Sequence, residues 1–95
     1  MQFLSISRRR TEAFSDAEFK ARAEAESEQA RRLYADGFIR QIWRRGNVPG
    51  ACILFEADSE EHVLSLLNTL PLMQAGMLDV AIYPLVPYPG FGPRS

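Results

Sequence analysis

The sequence has very few of the residues that build disulfides and metal sites. Cys52 is the only cysteine and His62 the only histidine among 95 residues. One cysteine cannot form an internal disulfide, and a zinc site needs several cysteine or histidine ligands. We therefore expect neither a disulfide framework nor a metal centre.

Long apolar runs and a strong net charge are also missing. No stretch approaches the ~20 apolar residues of a membrane-spanning helix. The basic run near the N-terminus follows a short apolar stretch, which is the reverse of a secretory signal. The formal net charge of -1 argues against a general nucleic-acid-binding protein. We expect a cytoplasmic protein that contacts neither membranes nor nucleic acids.

Arginine dominates the cationic residues, with ten arginines and a single lysine, Lys20. Arginine suits forked recognition of carboxylates and ion pairing at interfaces. Apolar residues form 46% of the chain, which is typical of a globular protein. The length predicts one domain over residues 1–95. A chain of this size buries only about 60–65% of its unfolded surface, so self-association would bury more.

Local signals predict alternating strands and helices. Strands are expected at Gln2–Ser7, Phe38–Arg45, Ala51–Glu56 and Met77–Leu85, with a polar loop from Arg8 to Ala13. The first helix is expected over Asp16–Asp36, capped by Ser15 or Asp16 and stopped by Gly37. The second is expected to start at Asp58 or Ser59 and to end at Pro71.

This order, βαββαβ, predicts an α+β, ferredoxin-like fold with a four-stranded antiparallel sheet and two helices on one face. The other face of the sheet needs a cover, and a second subunit packed sheet against sheet is the simplest one. Residues 86–95 hold prolines, glycines and two aromatic residues. We expect this tail to be a loose end or an arm docked on a neighbouring subunit.

Glu26 is the first candidate for chemistry, because it lies in the middle of an apolar helix stripe. The other members of that stripe are Phe19, Ala23, Ala30 and Leu33. A carboxylate facing a sheet is costly to desolvate, and desolvation would raise its pKa toward the range of a general base. The alternative is a structural ion pair between Glu26 and Arg40 or Arg44.

Arg40, Trp43 and Arg44 in the second strand form the next candidate group. An arginine beside an aromatic residue can hold a small carboxylate and pack against its carbon skeleton. Regular alternation would place Phe38, Arg40, Ile42 and Arg44 on one side of the strand and Ile39, Gln41, Trp43 and Arg45 on the other. The alternative is that Trp43 is a core or interface residue and the arginines pair across subunits.

Four segments resemble the muconolactone delta-isomerase family. They are ARRLYADG (Ala30–Gly37), FIRQIWRR in the second strand, DSEEH at the second helix and LNTLPL at its exit. The resemblance extends from about Phe3 to Pro87. It implies a ferredoxin-like subunit that pairs into a dimeric α/β barrel, with dimers assembling into a larger ring such as a decamer.

The resemblance also implies a cofactor-free isomerase that moves a proton on a small unsaturated lactone bearing a carboxylate. Glu26 matches the family's candidate proton-transfer residue by its spacing from Gly37. Arg40, Trp43 and Arg44 match the family's second-strand positions and are expected to bind substrate. Two positions of this chain differ from the family pattern, and both bear on the identity of the substrate. Gln41 stands where these isomerases tend to carry histidine, and Leu4 stands where they tend to carry a polar or histidine side chain.

Two other functions fit the same architecture. One is a metal-free oxygenase-like protein that acts on an aromatic compound. The other is a non-catalytic oligomer that binds a small molecule. The resemblance favours the isomerase, with Glu26 as its catalytic residue.

Overall fold

A computed structural model describes residues 1–91 of the chain. The elements follow the order β1 (Gln2–Arg9), α1 (Asp16–Ala35), β2 (Ile39–Arg44), β3 (Ala51–Glu56), α2 (Glu60–Leu67), α3 (Pro71–Gln74) and β4 (Leu78–Leu85). The strands form one sheet in the order β2-β3-β1-β4, and each neighbouring pair is antiparallel. The α+β, ferredoxin-like fold that the sequence predicts is confirmed.

Local signals at both ends of α1 explain its boundaries. The Ser15 side chain accepts a hydrogen bond from the Glu18 amide, and the Glu18 carboxylate accepts one from the Ser15 amide. This reciprocal pair satisfies two donors that a helix start leaves free. At the other end, Gly37 has a φ of 87°, and the Phe38 amide donates to the Leu33 carbonyl. Glycine takes this left-handed conformation without a steric penalty, so the helix ends where the sequence predicts.

The core lies between the sheet and the helices. Its larger cluster joins buried side chains of the sheet, α1 and α2, namely Phe3, Leu33, Ile39, Ile53, Phe55, Ala57, Val63, Leu66, Leu67 and Leu70. A smaller cluster of Phe19, Leu72 and Met77 joins the first half of α1 to α3. Glu26 lies on α1 between Phe19 of the smaller cluster and Leu33 of the larger one.

Two predicted boundaries are wrong. The first strand continues through Arg8 and Arg9, which pair with Asp79 and Leu78 of β4. An ion pair between Arg8 and Asp79 supports this extension across the sheet. Pro71 does not end the second helix. That helix ends at Leu67, and Pro71 opens α3, because proline suits the first turn of a helix, where its missing N–H is not needed.

An irregularity in β2 changes which of its side chains share a face. Ile39 pairs with Phe55, whereas Gln41 pairs with Leu54, so Arg40 is an extra residue at a bulge. Beyond the bulge, Ile42 pairs with Ile53 and therefore faces the helices like Ile39. The predicted separation of Ile39 from Ile42 is wrong for this reason. Trp43 and Arg44 do occupy opposite faces, as regular alternation predicts.

The sheet face away from the helices is uncovered in the single chain. Register and alternation place eight largely apolar side chains on this open face, namely Leu4, Ile6, Trp43, Cys52, Leu54, Ala81, Tyr83 and Leu85. The same face carries the polar residues Gln2, Arg8, Gln41, Glu56 and Asp79. The tail side chains of Val86, Tyr88 and Phe91 are exposed. Residues 92–95 of the predicted arm lie outside the described residues. None of the helices formed by residues 1–91 has the length and apolar character to cross a membrane.

Gly50 is required where β3 begins, because the chain passes very close to β1 there. A Cβ atom at Gly50 would lie 2.0 Å from the carbonyl oxygen of Ser7. We therefore predict that Gly50→Ala lowers the free energy of unfolding by about 1–3 kcal/mol, which is typical of overpacking. Urea unfolding measures this loss. Gly46→Ala is the matched control, since a Cβ there meets no atom within 4 Å. Equal stability of the two variants would contradict the close approach.

Candidate active site

A cavity of about 550 Å³ opens between the sheet and the helices. Its volume falls in the range of small-molecule sites. The sheet, α1, α2, α3 and the loop before β3 all contribute to its lining. The wall is mainly apolar and includes Ala30, Ile42, Ile53, Leu67, Leu70, Leu72 and Leu78. The polar and charged side chains of the lining are the candidates for recognition or catalysis: Ser5, Ser7, Arg9, Glu26, Ser27, Arg44 and Arg45.

Glu26 is a half-buried carboxyl group in this lining. Its Oε1 atom accepts a hydrogen bond of 3.0 Å from the Leu72 amide. Leu72 is the second residue of α3, and the helix cap, Leu70, supplies no side-chain hydrogen bond. Glu26 therefore satisfies one of the free amide donors at the start of α3 from a different helix. The contact holds one carboxyl oxygen in place at the cavity.

Burial raises the pKa of Glu26 above its ordinary value of 4.5, because desolvation penalises the charged form. The Leu72 hydrogen bond and the positive charge of Arg9 act on this pKa in the opposite direction, with less effect than burial. A carboxyl group with a raised pKa is a stronger base once ionised than an exposed one. It can also donate its proton nearer to neutral pH, which suits proton transfer.

The structural alternative for Glu26, an ion pair with Arg40 or Arg44, does not form within residues 1–91. The charge that acts on Glu26 belongs instead to Arg9, at the end of β1. The apolar stripe around Glu26 is also only partly as expected. Phe19 and Leu33 are buried, whereas Ala23 is exposed.

The three second-strand candidates separate in the structure. Arg44 lines the cavity and takes part in no salt bridge among the described residues. Trp43 borders the cavity, but its pairing with Cys52 places it on the open face, and it is 50% exposed. Arg40, at the bulge, is exposed and lies outside the cavity lining. The roles predicted for these residues in substrate binding stay predictions.

Sequence reasoning missed three polar residues of β1 that line the cavity: Ser5, Ser7 and Arg9. They alternate with Leu4, Ile6 and Arg8, so they share the face that meets the helices. The guanidinium of Arg9 lies 5.3 Å from the centre of the Phe19 ring, which positions it beside α1. Alternation within the predicted strand was the available signal for Ser5 and Ser7. Arg9 could be found only if the strand continued past Ser7.

The family described as muconolactone delta-isomerase matches residues 1–90 of the chain. No curated protein sequence matches this chain. The match covers the cavity, including Glu26 and every lining residue of β1 and β2.

Two solved structures show the same fold. A crystal structure of muconolactone isomerase aligns with a TM-score of 0.79 and 23% identity, over 100% of this chain and 98% of that one. The second is 5-chloro-2-hydroxyhydroquinone dehydrochlorinase (TftG) from Burkholderia phenoliruptrix AC1100, in complex with 2,5-dihydroxybenzoquinone. It aligns with a TM-score of 0.74 and 19% identity, over 90% of this chain and 94% of that one. At these identities the likeness concerns the fold.

Because the pKa of Glu26 is raised, the stability of the protein should depend on pH through this group. The folded state holds the Glu26 proton more tightly than the unfolded state does. The contribution of this group to stability is therefore fully present below the pKa of the unfolded state and is lost as pH rises through the pKa of the folded state. We predict that wild type loses stability relative to Glu26→Gln as pH rises from 4 toward neutrality, since glutamine remains uncharged. Urea unfolding at several pH values measures this difference.

Glu24→Gln is the matched control for that experiment, because Glu24 is an exposed carboxylate on the same helix. It removes one negative charge without altering the cavity. A difference between wild type and Glu26→Gln that stays constant or reverses with pH would contradict the desolvation of Glu26.

Proposed function

Because this chain belongs to the muconolactone delta-isomerase family, we propose that it shifts a proton on a small unsaturated lactone that carries a carboxylate. No cofactor takes part in the proposed reaction. One observation carries the proposal. Glu26, the family's candidate proton-transfer residue, lines a cavity of suitable size and has a raised pKa.

In the proposed reaction, the ionised Glu26 carboxylate removes a proton from the saturated carbon attached to the far end of the C=C bond that is conjugated with the lactone carbonyl. The electron pair of that C–H bond moves into the conjugated system and gives a dienolate. Glu26 then returns the proton to a different carbon, so the double bond changes position and the atoms of substrate and product are the same. The Leu72 amide holds Oε1, while Oε2 accepts no hydrogen bond within residues 1–91. This arrangement supports a mechanism with a single catalytic base, because Oε1 of Glu26 is held by a hydrogen bond and Oε2 is available to accept the proton.

Arg9 and Arg44 are the cations proposed to hold the substrate carboxylate and to offset the charge of the dienolate. Both line the cavity with Glu26, and neither takes part in a salt bridge within the described residues. A cation fixed near a developing negative charge lowers the barrier more in a partly dry cavity than in water. The substrate-binding role expected for Arg40 is separate from the role of Arg9 and Arg44, because Arg40 lies at the bulge in β2.

The direct test of this mechanism is the turnover of muconolactone by Glu26→Gln. Glutamine keeps an oxygen for the Leu72 amide but cannot accept a proton, so the loss should fall on kcat. General-base catalysis is worth roughly 10²–10⁴-fold, and we predict a fall of at least about a hundredfold. Proton NMR of substrate and product in heavy water measures both turnover and deuterium incorporation.

Glu24→Gln, on the exposed side of α1, should retain the kcat of wild type in the same assay. Circular dichroism of both variants checks that α1 still forms. Turnover by Glu26→Gln at the rate of wild type would remove Glu26 from the mechanism.

We further propose that two copies of the chain pair through their open sheet faces, which gives the dimeric barrel expected from the family. Support comes from the composition of that face. It exposes Trp43 and Tyr83, each 50% accessible, beside Leu4, Ile6 and Leu54. Contiguous apolar surface of this kind on a small protein marks an interaction site. Assembly of such dimers into a larger ring stays an expectation.

The proposed pairing predicts that Leu54→Asp gives a monomer, because a charge would be buried at the centre of the interface. Sedimentation velocity at micromolar concentration measures the change from dimer or larger ring to monomer. Leu64→Asp is the matched control, since Leu64 is a leucine of α2 that is 45% exposed. It should leave the assembly of wild type intact. A wild-type protein that sediments as a monomer would contradict the pairing.

A further inference from the structure

One of the two central strands of the sheet, β1, presents hydroxyl groups to a cavity whose wall is mainly apolar. Ser5 and Ser7 both line the cavity and are 1% and 7% exposed. In the sheet, Ser5 lies between Ile53 of β3 and Ile82 of β4. A serine in this setting contributes less to core packing than an apolar residue of the same shape. Its hydroxyl therefore needs a separate explanation.

Ser7 is explained by the backbone around it. Its Oγ accepts a hydrogen bond of 3.1 Å from the Ala51 amide and donates one of 3.3 Å to the Ala51 carbonyl. These bonds connect β1 to β3 just beyond Ile6 and Cys52, the last residues that pair between the two strands. Ser7 thus extends the contact between the two strands, and its hydroxyl both donates and accepts a hydrogen bond within the protein.

Ser5 differs, because its Oγ has no hydrogen-bond partner within residues 1–91. A buried polar atom without a partner costs roughly 1–3 kcal/mol, and most such atoms are satisfied by protein, water or ligand. A serine hydroxyl turns about one torsion and can either donate or accept. It can therefore meet a carbonyl or hydroxyl oxygen that enters the cavity beside it.

We propose that Ser5 is a specificity-determining residue that hydrogen-bonds a ring oxygen of the substrate, separate from the carboxylate bound by the arginines. This proposal rests on the proposed function, which makes the cavity the substrate site. Glu26 reaches the cavity from the helix layer, and Ser5 reaches it from the sheet layer. The substrate class is then a small ring with two oxygen-bearing groups, a carboxylate toward Arg9 and Arg44 and a carbonyl or hydroxyl toward Ser5.

The test compares two ligands that differ by one oxygen. They are cyclopentanecarboxylate and the same acid with a ketone on its ring at the third carbon. Isothermal titration calorimetry gives the Kd of each ligand for wild type and for Ser5→Ala. The ratio of the two Kd values is compared between the proteins, so the different hydration of the ligands cancels. Wild type should favour the ketone, and Ser5→Ala should reduce that preference by about tenfold, which is the scale of one hydrogen bond.

Ser65→Ala is the matched control, because Ser65 is exposed on α2 and lies outside the cavity. It should keep the Kd ratio of wild type. A second measurement guards against misfolding. Since Ser5→Ala removes an oxygen that has no partner, its urea midpoint without ligand should equal or exceed that of wild type.

Three results would overturn the proposal. They are an unchanged Kd ratio in Ser5→Ala, a wild-type protein that binds the two acids equally or not at all, and a lower urea midpoint for Ser5→Ala. The last result would mean that the hydroxyl already has a partner, such as a fixed water. None of these measurements involves turnover. If Glu26 were not the base, the Kd ratio and the urea midpoint would be unaffected. If the Kd ratio or the urea midpoint contradicted the role of Ser5, the proposed proton transfer by Glu26 would still stand.

Discussion

The contact between Glu26 and the Leu72 amide connects the fold to the candidate chemistry. Glu26 lies on α1 and Leu72 in the first turn of α3, so the hydrogen bond joins two helices through residues that are 46 positions apart in the chain. It stabilises the start of a short helix that has no side-chain cap of its own. The same contact keeps the carboxyl group at the cavity instead of letting it turn toward water. One side chain therefore meets a structural requirement of α3 and is also held where the proposed proton transfer needs it.

Desolvation is the largest of the opposing effects on the pKa of the Glu26 carboxyl group. A hydrogen bond to a carboxylate and a nearby cation each favour the charged form, and here both act on Glu26. Burial still raises the pKa, because the surrounding wall is mainly apolar. An ion pair with an arginine would have favoured the charged form and weakened the base. Arg9 instead lies over the Phe19 ring, where its charge acts on Glu26 without a direct salt bridge.

Features that depend on short stretches of sequence could be predicted, and features that depend on distant partners could not. Ser15, Glu18 and Gly37 act within one helical turn, and they place the ends of α1 correctly. Glu26 was found because the stripe around it lies on the same helix. The extension of β1 through Arg9 depends on Asp79 and Leu78, about 70 residues away. The bulge at Arg40 depends on how β2 meets β3.

Pro71 and Ser5 show a second limit of prediction from the sequence. Pro71 is compatible both with the end of one helix and with the start of another, and only the packing of α3 against α1 decides between them. Ser5 looks like Ser7 in the sequence, two residues away on the same strand. Their hydroxyls differ only because the Ala51 backbone reaches Ser7 and not Ser5. Such differences arise from the assembled sheet, so no local pattern contains them.

The central claim is that the Glu26 carboxyl group is kept partly out of water at the edge of the candidate active site. The most direct measurement is a pH titration of the Glu26 side-chain carboxyl by carbon-13 NMR, with Glu26→Gln used to assign its signal. The account predicts a midpoint above 4.5, the ordinary value for glutamate, and a further change in that midpoint when a small carboxylate fills the cavity. A midpoint at or below 4.5 that is insensitive to ligand would contradict it.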